Sequence, residues 1–270
     1  MLGELRLDAA YERRRIVAFI REQTAAAGCS RLVIGLSGGV DSTLVAVLSA
    51  EAVGAENVQA MILPYETSNP ESEAHARMVI DALGLPYERF DITPMVHPLL
   101  ARYPDMDERR KGNIMARSRM IILFDQSARL NGLVVGTSNR TETLLGYFTL
   151  HGDGAAGFKP IAHLYKCQIR ELARAVGVPE VIVTKAPSAD LWDGQTDEGE
   201  LGFTYDEADQ VLYWLMERGL NVDEIAAKGF DPWVAAEIQR RMCATAFKRR
   251  WPPTLEPTGE ILGKCGGADG

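Results

Sequence analysis

The chain has only four cysteines among its 270 residues, and no two of them form a CxxC pair. Cysteines this far apart favour neither a zinc site nor a disulfide framework, so we expect isolated thiols at Cys29, Cys167, Cys243 and Cys265. A run of about 18 apolar residues, the length that spans a bilayer, is also missing. The charged N-terminus, MLGELRLDAAYERRR, lacks the apolar core of a secretion signal. We therefore expect a cytoplasmic protein with no membrane partner.

An excess of basic residues is absent too, since 37 acidic residues outnumber 29 basic ones and give a formal net charge of −8. A chain of this charge would need a local basic patch to bind nucleic acid through its phosphates. The one short basic cluster, KRRW at 248–251, is typical of a solvated helix end, with a ligand contact as the alternative. We predict no nucleic-acid partner.

What the chain does have is enough apolar sequence, 46% of its residues, to bury a substantial core. We expect a single domain over residues 1–270, with its core at about 8–250 and a loose tail at 254–270. Short β-branched runs alternate with helical patterns. Strands are predicted at 32–36, 58–63, 87–92 and 133–137, and helices at 9–26, 42–53, 71–83 and 113–130.

Strands separated by helices of this length predict right-handed crossovers, and hence a doubly wound α/β fold with a parallel sheet. Ligands of such folds bind at the carboxyl ends of the strands. Beyond residue 137 the segments 139–165 and 184–204 lose periodicity and are too long to be simple connections, which is typical of functional loops. Helices predicted at 204–218 and 231–250 indicate helical additions that cap the domain.

A glycine turn, Ser37-Gly38-Gly39-Val40-Asp41-Ser42, follows the first predicted strand and opens a helix. Backbone N–H groups and the helix dipole converge on an anion at such a turn, and phosphate is the expected ligand. A carboxylate there would repel a polyphosphate unless a magnesium ion bridged them, so Asp41 points to Mg²⁺. The alternative is that Asp41 only caps the helix.

The hexapeptide contains no lysine, which excludes a Walker P-loop, and it lacks the spacing of the dinucleotide fingerprint. It resembles the SGGxDS signature of the PP-loop ATP pyrophosphatases, which cleave ATP to AMP and pyrophosphate while adenylating a substrate oxygen. That class includes NAD synthetases, GMP synthetases, asparagine synthetases and tRNA-modifying enzymes. The motif predicts use of ATP as co-substrate but does not select the second substrate.

Longer blocks make that selection. GNIMARSRM at 112–120, GTSNRTETLLGYFTLHGDGAAGFKPIAHLYK at 136–166 and KAPSADLWDGQTDEGELGFTYDEAD at 185–209 are similar to blocks of NAD synthetases in the same order and spacing. With LPYETSNPES at 63–72, the resemblance covers residues 30–210. It implies an ammonia-dependent NAD synthetase that adenylates deamido-NAD and then amidates it, giving NAD, AMP and pyrophosphate.

The resemblance also implies roles for individual residues. Asp41 and Glu142 would bind Mg²⁺, with Asp153 of the GDG turn as a further ligand, and Arg117 would contact deamido-NAD. The residues expected to contact ATP are Gly35, Leu36, Ser37, Gly38, Gly39, Val40, Asp41, Ser42, Thr137, Lys166 and Ser188. For single residues the alternatives are a surface ion pair at Arg117, a solvated helix start at Lys166 and a local cap at Glu142.

The chain departs from the family pattern at three places, all on the deamido-NAD side. Many bacterial members carry a lysine before the YGD turn and an aspartate four residues after its Asp, where this chain has Leu150 and Gly157. A His-Lys pair near their C-terminus corresponds to Phe247-Lys248 here, which we carry over as candidate deamido-NAD contacts. The ATP side is complete.

Two other functions stay open. Another PP-loop adenylating amidotransferase or thiolation enzyme would be expected to carry a glutaminase partner, an RNA-binding appendage or catalytic cysteines, and none is evident. A non-catalytic nucleotide-binding relative would be expected to lose Asp41, Glu142 or Lys166, which are all present.

Two further expectations concern partners. None of the cysteines has a recognisable catalytic surround, so free ammonia should be the nitrogen donor. The family pairs across a helix that corresponds to residues 113–131, which implies a homodimer, and ordinary core packing of that helix is the alternative. The apolar residues of this helix that suggest burial on more than one face are Ile114, Met115, Met120, Ile121, Leu123 and Phe124.

Overall fold

The computed structural model describes residues 3–192 and 194–255, and its centre is one parallel sheet. The strands are β1 (Arg31–Gly35), β2 (Val58–Ile62), β3 (Tyr87–Arg89) and β4 (Gly132–Val134). They are ordered β3-β2-β1-β4, and every neighbouring pair is parallel. The predicted doubly wound α/β fold is therefore confirmed. The predicted tail lies outside the described residues except for Thr254 and Leu255.

Helices cover both faces of the sheet and continue beyond it. They are α1 (Ala9–Ala26), α2 (Val40–Val53), α3 (Pro70–Leu83), α4 (Thr93–Arg102), α5 (Glu108–Leu130), α6 (Arg140–Leu145), α7 (Lys166–Ala175), α8 (Glu180–Val183), α9 (Asp197–Leu201), α10 (Tyr205–Met216), α11 (Val222–Ala226) and α12 (Pro232–Ala244). Three short 3-10 turns occupy Gly3–Leu5, Ala55–Asn57 and Ala246–Arg249. No helix within the described ranges combines the length and apolar character needed to cross a bilayer.

Several element ends differ from the sequence prediction, and side-chain hydrogen bonds account for most of them. The helix expected from 113 begins at Glu108, because the Asp107 carboxylate accepts a hydrogen bond from the backbone N–H of Arg110 at 2.7 Å. The helix expected over 231–250 ends at Ala244, and Arg249 then folds back to donate to the carbonyls of Met242 and Leu144. Helix α4, which contains Pro98, was not predicted because proline usually interrupts a helix.

The strand order creates a crevice at one edge of the sheet. From β1 the chain adds β2 and β3 on one side, and it then returns to add β4 on the other side of β1. The carboxyl ends of β1 and β4 therefore diverge at the point where the order reverses, which is where open α/β sheets bind their ligands. Beyond β4 the sheet is prolonged by a parallel bridge between Val135 and Phe158.

Burial of the central strand fixes this edge rigidly. Leu32 and Ile34 of β1 pack into the core formed with α1, α2 and α7, whereas Val33 faces the opposite core with Met115 of α5. All four side chains are fully buried. A separate apolar core holds the cap formed by α10, α11 and α12, and Tyr205 is its largest fully buried side chain. The glycine turn that follows β1 thus stands on a closely packed base.

Candidate active site

The turn between β1 and α2 depends on the backbone freedom of Gly38. Its φ is +75°, a left-handed conformation that L side chains rarely adopt. A Cβ at this position would lie 2.1 Å from the carbonyl oxygen of Ser72, in the first turn of α3. Glycine at position 38 therefore lets the backbone turn sharply beside α3, the geometry in which backbone N–H groups can approach an anion.

Two serine hydroxyls hold the turn in shape. The Oγ atoms of Ser37 and Ser42 lie 3.0 Å apart, and the N–H of Gly39 reaches Ser37 Oγ at 3.3 Å. The side chains of Leu36 and Val40 are buried in the core, so these residues can contact a nucleotide only through their backbone atoms. Gly35 ends β1, directly before the turn. The segment predicted to bind ATP phosphates thus forms one continuous cradle of backbone and hydroxyl groups.

Asp41 does not cap its helix, which rules out the simpler role considered for this residue. The N-cap of α2 is Gly39, and no side chain makes a capping hydrogen bond there. The Asp41 carboxylate instead accepts from Lys166 Nζ at 2.5 Å and from Asn139 Nδ2 at 2.8 Å. Residues that follow β4 and that begin α7 therefore meet the glycine turn at the crevice.

Glu142 forms the local cap considered for it, and its carboxylate also contacts Lys166. It forms a capping box with Asn139 at the start of α6, because each residue bonds the other's backbone N–H. Its Oε1 also accepts from Lys166 Nζ at 3.1 Å. Lys166 is 3% exposed and lies between the two carboxylates, so it is not a solvated helix start.

This cluster contains more carboxyl groups than ammonium groups. Asp41, Glu142 and the buried Asp197 surround the single ammonium of Lys166. Burial is the main cause that raises the pKa of Glu142, to about 7, and repulsion by Asp41 adds to it. Burial opposes the charge of Lys166, but Asp41 and Glu142 outweigh it and raise its pKa. A bound cation would favour the ionised form of these carboxyl groups.

The donor chemistry of the cluster fits magnesium. Asp41 and Glu142 offer hard carboxylate oxygens, and each side chain is 17% exposed towards the crevice. Within the described ranges, no group of three or more His, Cys, Asp or Glu side chains is arranged to hold a metal ion. Mg²⁺ is commonly bound through one or two carboxylates together with substrate phosphates and water, and this pair matches that pattern.

A second layer of side chains, missed from the sequence, holds Lys166 in place. Asp209 of α10 is buried, and it accepts from Thr141 Oγ1 at 2.5 Å and from the backbone N–H of Cys167 at 2.7 Å. Thr141 Oγ1 in turn accepts from the backbone N–H of Lys166 at 3.0 Å. Asp209 thereby joins the starts of α6 and α7, which carry Glu142 and Lys166.

Asp197 was also missed. Its carboxylate accepts from the hydroxyls of Tyr205, at 3.0 Å, and Tyr147, at 3.1 Å, and Tyr205 presents its ring to Lys166 Nζ at 5.0 Å. Asp197 and Asp209 both lie in the block 185–209 that carries the family resemblance, so that block was the signal that could have found them. Asn139 could have been found, because Asn followed three residues later by Glu is a helix-start signature.

Thr137 and Ser188, the other predicted ATP contacts, lie apart from the charged cluster. Thr137 follows β4 at the crevice. Ser188 lies in the 184–204 segment, where its hydroxyl donates to the carbonyl of Gln195 at 2.8 Å. That segment is tied to α3, since Lys185 Nζ bonds Ser72 Oγ at 2.9 Å and Asp190 accepts from the N–H of Asn69 at 3.0 Å. It therefore closes beside the glycine turn.

The predicted deamido-NAD contact, Arg117, is exposed on α5. Its guanidinium donates to the backbone carbonyl of Leu150 at 3.2 and 3.3 Å, so Leu150 is contacted through its backbone. Arg117 and Asn113 line a groove of about 320 Å³ between α4 and α5. The alternative of a surface ion pair does not hold among the described residues, because Arg117 bonds a carbonyl.

Gly157 has a local packing reason. A Cβ there would lie 3.2 Å from the Leu133 side chain and from the Val134 carbonyl, which already accepts from the Gly157 N–H at 2.8 Å. An aspartate would require Leu133 to shift. Glycine at position 157, where the family pattern has aspartate, thus suits the close packing of this segment against β4.

Asp153, the further metal ligand expected from the resemblance, lies apart from the carboxylates of Asp41 and Glu142. Its carboxylate accepts from the N–H of Thr149 at 2.8 Å, and no contact in the described part of the chain joins it to Asp41 or Glu142. Lys248 Nζ donates to the carbonyls of Gly146 and Phe148, at 2.8 and 2.7 Å. The neighbouring Phe247 is 64% exposed.

The three described cysteines are free thiols, as expected: Cys29 is partly buried, Cys167 is buried and Cys243 is exposed. Burial and the nearby Asp209 raise the pKa of Cys167, which disfavours the reactive thiolate. Cys265 lies outside the described residues.

Comparison with known proteins identifies the family. The NAD synthase family model matches residues 12–252. An NH(3)-dependent NAD(+) synthetase of Trichlorobacter lovleyi is 47% identical over 261 residues, covering 97% of this chain and 96% of that protein.

Solved structures agree. An NMN synthetase from Francisella tularensis matches with a TM-score of 0.83 at 32% identity, covering 93% of this chain and 99% of that one. An NH3-dependent NAD synthetase from Campylobacter jejuni matches with a TM-score of 0.80 at 33% identity, covering 93% and 100%. The chain belongs to the NAD synthase family.

Proposed function

We propose that this chain amidates deamido-NAD with ammonia at the expense of ATP, forming NAD, AMP and pyrophosphate. It is a ligase that forms a C–N bond with ATP as co-substrate. The observation that carries the proposal is the position of Lys166, held between Asp41 and Glu142 beneath an anion-binding glycine turn. This arrangement suits polyphosphate chemistry at the crevice where the sheet order reverses.

In the first step, a carboxylate oxygen of the nicotinate group attacks the α-phosphorus of ATP. A new O–P bond forms, the bond to the bridging oxygen breaks, and pyrophosphate leaves with that electron pair. The turn at 35–42 binds the nucleotide together with Thr137. Ser188 contacts the nucleotide from the 184–204 segment. Lys166 neutralises charge on the departing phosphates. Holding both reactants in line supplies much of the acceleration.

In the second step, ammonia attacks the acyl carbon of the adenylate. The C–O bond to AMP breaks, AMP leaves, and the nitrogen loses one proton to give the amide. Water would compete with ammonia, so the site must exclude it. The 184–204 segment, tied to α3 through Lys185 and Asp190, is placed to cover the crevice.

Mg²⁺ is part of the proposal. Asp41 and Glu142 would hold it against the phosphates, with Asp153 as a further candidate ligand from the acceptor side. When bound, it supplies charge neutralisation at the phosphate oxygens. The arrangement of three carboxyl groups around the single ammonium of Lys166 supports this assignment, because a bound cation would favour their ionised form.

Arg117, Phe247 and Lys248 are proposed to contact deamido-NAD. Arg117 lines the groove between α4 and α5, and Lys248 is anchored to the segment that precedes the GDG turn. Leu150 and Gly157 remove two charged side chains that many relatives place on this side. The acceptor is therefore contacted by a different set of groups than in those relatives.

The direct test is an assay of the purified protein with deamido-NAD, ATP, magnesium and ammonium. We expect equal amounts of NAD, AMP and pyrophosphate. Formation of ADP and phosphate, or no product under any ammonium concentration, would contradict the proposal. Omitting magnesium while keeping ATP tests the metal, since product formation should then stop.

A second acceptor must be compared, because one well-matched solved structure is that of an NMN synthetase. The deamidated mononucleotide shares the nicotinate carboxylate but lacks the adenylate half. We expect a higher kcat/KM with deamido-NAD, as for the NH(3)-dependent NAD(+) synthetases that this chain resembles at higher identity. A higher kcat/KM with the mononucleotide would reassign the acceptor and leave the ATP chemistry intact.

Free ammonia is the proposed nitrogen donor. Cys167 is buried with a raised pKa, which does not suit a glutamine-hydrolysing nucleophile. Matched concentrations of ammonium and ammonia-free glutamine should give product only with ammonium. Equal turnover with glutamine, abolished by cysteine alkylation while the ammonium reaction survives, would indicate a hidden glutaminase.

We also propose a cytoplasmic homodimer in which residues 1–270 form one domain. Helix α5 supports dimerisation, because Ile121 is 54% exposed and Phe124 is 40% exposed on its surface, whereas Met115 and Ile122 pack inward. The helix thus has an apolar face that its own domain does not cover.

A further inference from the structure

Lys159 is a mostly buried cation that the mechanism above does not use. It lies on the segment that runs beside β4, between the GDG turn and α7. Its ammonium makes no hydrogen bond or ion pair with the described residues. The nearest aromatic group is Phe148, whose ring centroid is 5.5 Å from Lys159 Nζ.

The backbone holds Lys159 rigidly. The preceding Phe158 bridges Val135, and its carbonyl accepts from the N–H of Gly136 at 2.9 Å. The lysine stem crosses Gly136 so closely that a Cβ there would lie 2.8 Å from Lys159 Cγ. Gly136 directly precedes Thr137, so the side chain starts from the ATP end of the crevice.

Burial lowers the pKa of the Lys159 ammonium, whereas the negative charges of Asp153 and Glu142 favour its protonated form. Lys248 Nζ approaches the same Phe148 ring at 5.1 Å, from the acceptor side. Lys159 is therefore placed near the junction where a nucleotide carboxylate would meet the ATP phosphates.

The other cations around this junction have acceptors already. Lys166 is bonded by Asp41 and Glu142, Lys248 by two backbone carbonyls, and Arg117 by the carbonyl of Leu150. A desolvated ammonium without a partner is unfavourable unless an anion joins it. Lys159 has no such partner among the described residues, so it can bind an anion without giving up an existing bond.

We propose that Lys159 binds an anionic group of the acceptor nucleotide, its nicotinate carboxylate or a phosphate, and thereby sets the affinity for that substrate. The inference rests on the proposed function, because it takes the acceptor to be a deamidated pyridine nucleotide. Lys159 acts as a specificity residue on the side of the crevice where the chain departs from the family pattern.

The test compares Lys159→Met with Lys159→Arg in the full-length protein. Isothermal titration with deamido-NAD, without ATP, should show Kd raised at least tenfold in the methionine variant and mostly restored in the arginine variant, as expected for the loss of one charge-assisted contact. In steady-state assays KM for deamido-NAD should rise similarly, while KM for ATP changes less than about twofold. Lys228→Met, in the helical cap and stacked on Trp214, is the matched control.

Titration with NAD separates the two anions, because NAD carries an amide where deamido-NAD carries the carboxylate but keeps the same phosphates. If Lys159→Met weakens binding of deamido-NAD but not of NAD, Lys159 contacts the nicotinate carboxylate. If it weakens binding of both nucleotides, Lys159 contacts a phosphate. Unchanged Kd and KM for deamido-NAD in Lys159→Met would overturn the inference, as would an equal rise of both KM values with a lowered thermal midpoint. An inactive wild-type protein would instead count against the proposed function.

Discussion

The two sides of the crevice are built differently. On the side proposed to bind ATP, Asp41, Glu142 and Lys166 are largely buried, and each is bonded by side chains from other segments. On the acceptor side, Arg117 is exposed and Lys248 is partly buried, and both donate to backbone carbonyls of the segment 146–150.

The difference has a physical consequence for binding. The ATP side is held in its arrangement before substrate arrives, so binding costs little reordering there. On the side proposed to bind deamido-NAD, Arg117 and Lys248 must give up their hydrogen bonds to backbone carbonyls before they can bind a substrate oxygen. The apolar surface of α5 beside them is also uncovered. We therefore expect substitutions on the ATP side to reduce kcat and substitutions on the acceptor side to raise KM for deamido-NAD.

The largest effect should follow Asp41→Asn, with Glu142→Gln as its counterpart. Each removes a proposed magnesium ligand while keeping the side-chain shape, and loss of one preorganised electrostatic contact at a phosphoryl centre typically costs about 100-fold or more in kcat. Pyrophosphate release measures the loss, and circular dichroism should show a normal fold. Wild-type pyrophosphate release in either variant would contradict the metal role of that residue.

A smaller loss, about tenfold in kcat, should follow Asp209→Asn, because the amide keeps one acceptor oxygen where the two carboxylate oxygens accept from Thr141 and from the N–H of Cys167. Leaving that buried N–H unpaired should also cost about 1–3 kcal/mol of stability. Asp206→Asn is the control, since its side chain is 70% exposed on the same helix.

The pH dependence of Asp209→Asn sharpens this prediction. Burial raises the pKa of Asp209 above its ordinary 3.8. A carboxyl group with a raised folded-state pKa stabilises the fold below its unfolded-state pKa, and that contribution is lost as pH rises through the folded-state value. The difference in unfolding free energy between wild type and variant should therefore shrink as pH rises from 4 towards neutrality. A difference that grew with pH would show that Asp209 is stabilised as the anion.

On the acceptor side, Arg117→Ala should raise KM for deamido-NAD about tenfold and leave KM for ATP nearly unchanged, because it removes one charge-assisted contact. Arg129→Ala is the control, at the far end of α5 in an exposed pair with Glu88. A fall in kcat with both KM values unchanged would place Arg117 in the chemical step and remove the contrast between the two sides.

The subtlest change is expected from the uncovered face of α5. Ile121→Asp combined with Phe124→Asp should convert a dimer to a monomer in light scattering while the fold persists, because charges would have to be buried at the interface. Met78→Asp, at an apolar position on α3 that is 42% exposed, is the control. A wild-type protein that is monomeric at micromolar concentration would remove the dimer proposal.

The sequence by itself determined the alternation of strands and helices, and with it the parallel sheet. The period of apolar residues and the glycines that end α2 and α3 are local signals, which is why the helix predicted at 9–26 has its observed bounds, Ala9–Ala26. The phosphate-binding role of the glycine turn after β1 was also predictable from local sequence, because an anion-binding turn needs small residues and hydroxyls at fixed spacing.

Only the tertiary structure decided which side chains meet. Lys166 is 125 residues from Asp41 in sequence, and Asp209 is 68 residues from Thr141, yet both belong to one buried network. In the sequence, Lys159 cannot be told from an ordinary surface lysine. In the structure, the β-bridge at Phe158 places the aliphatic part of the Lys159 side chain against Gly136. Burial and pairing of charges are properties of the folded chain, because they depend on which segments exclude water from each group.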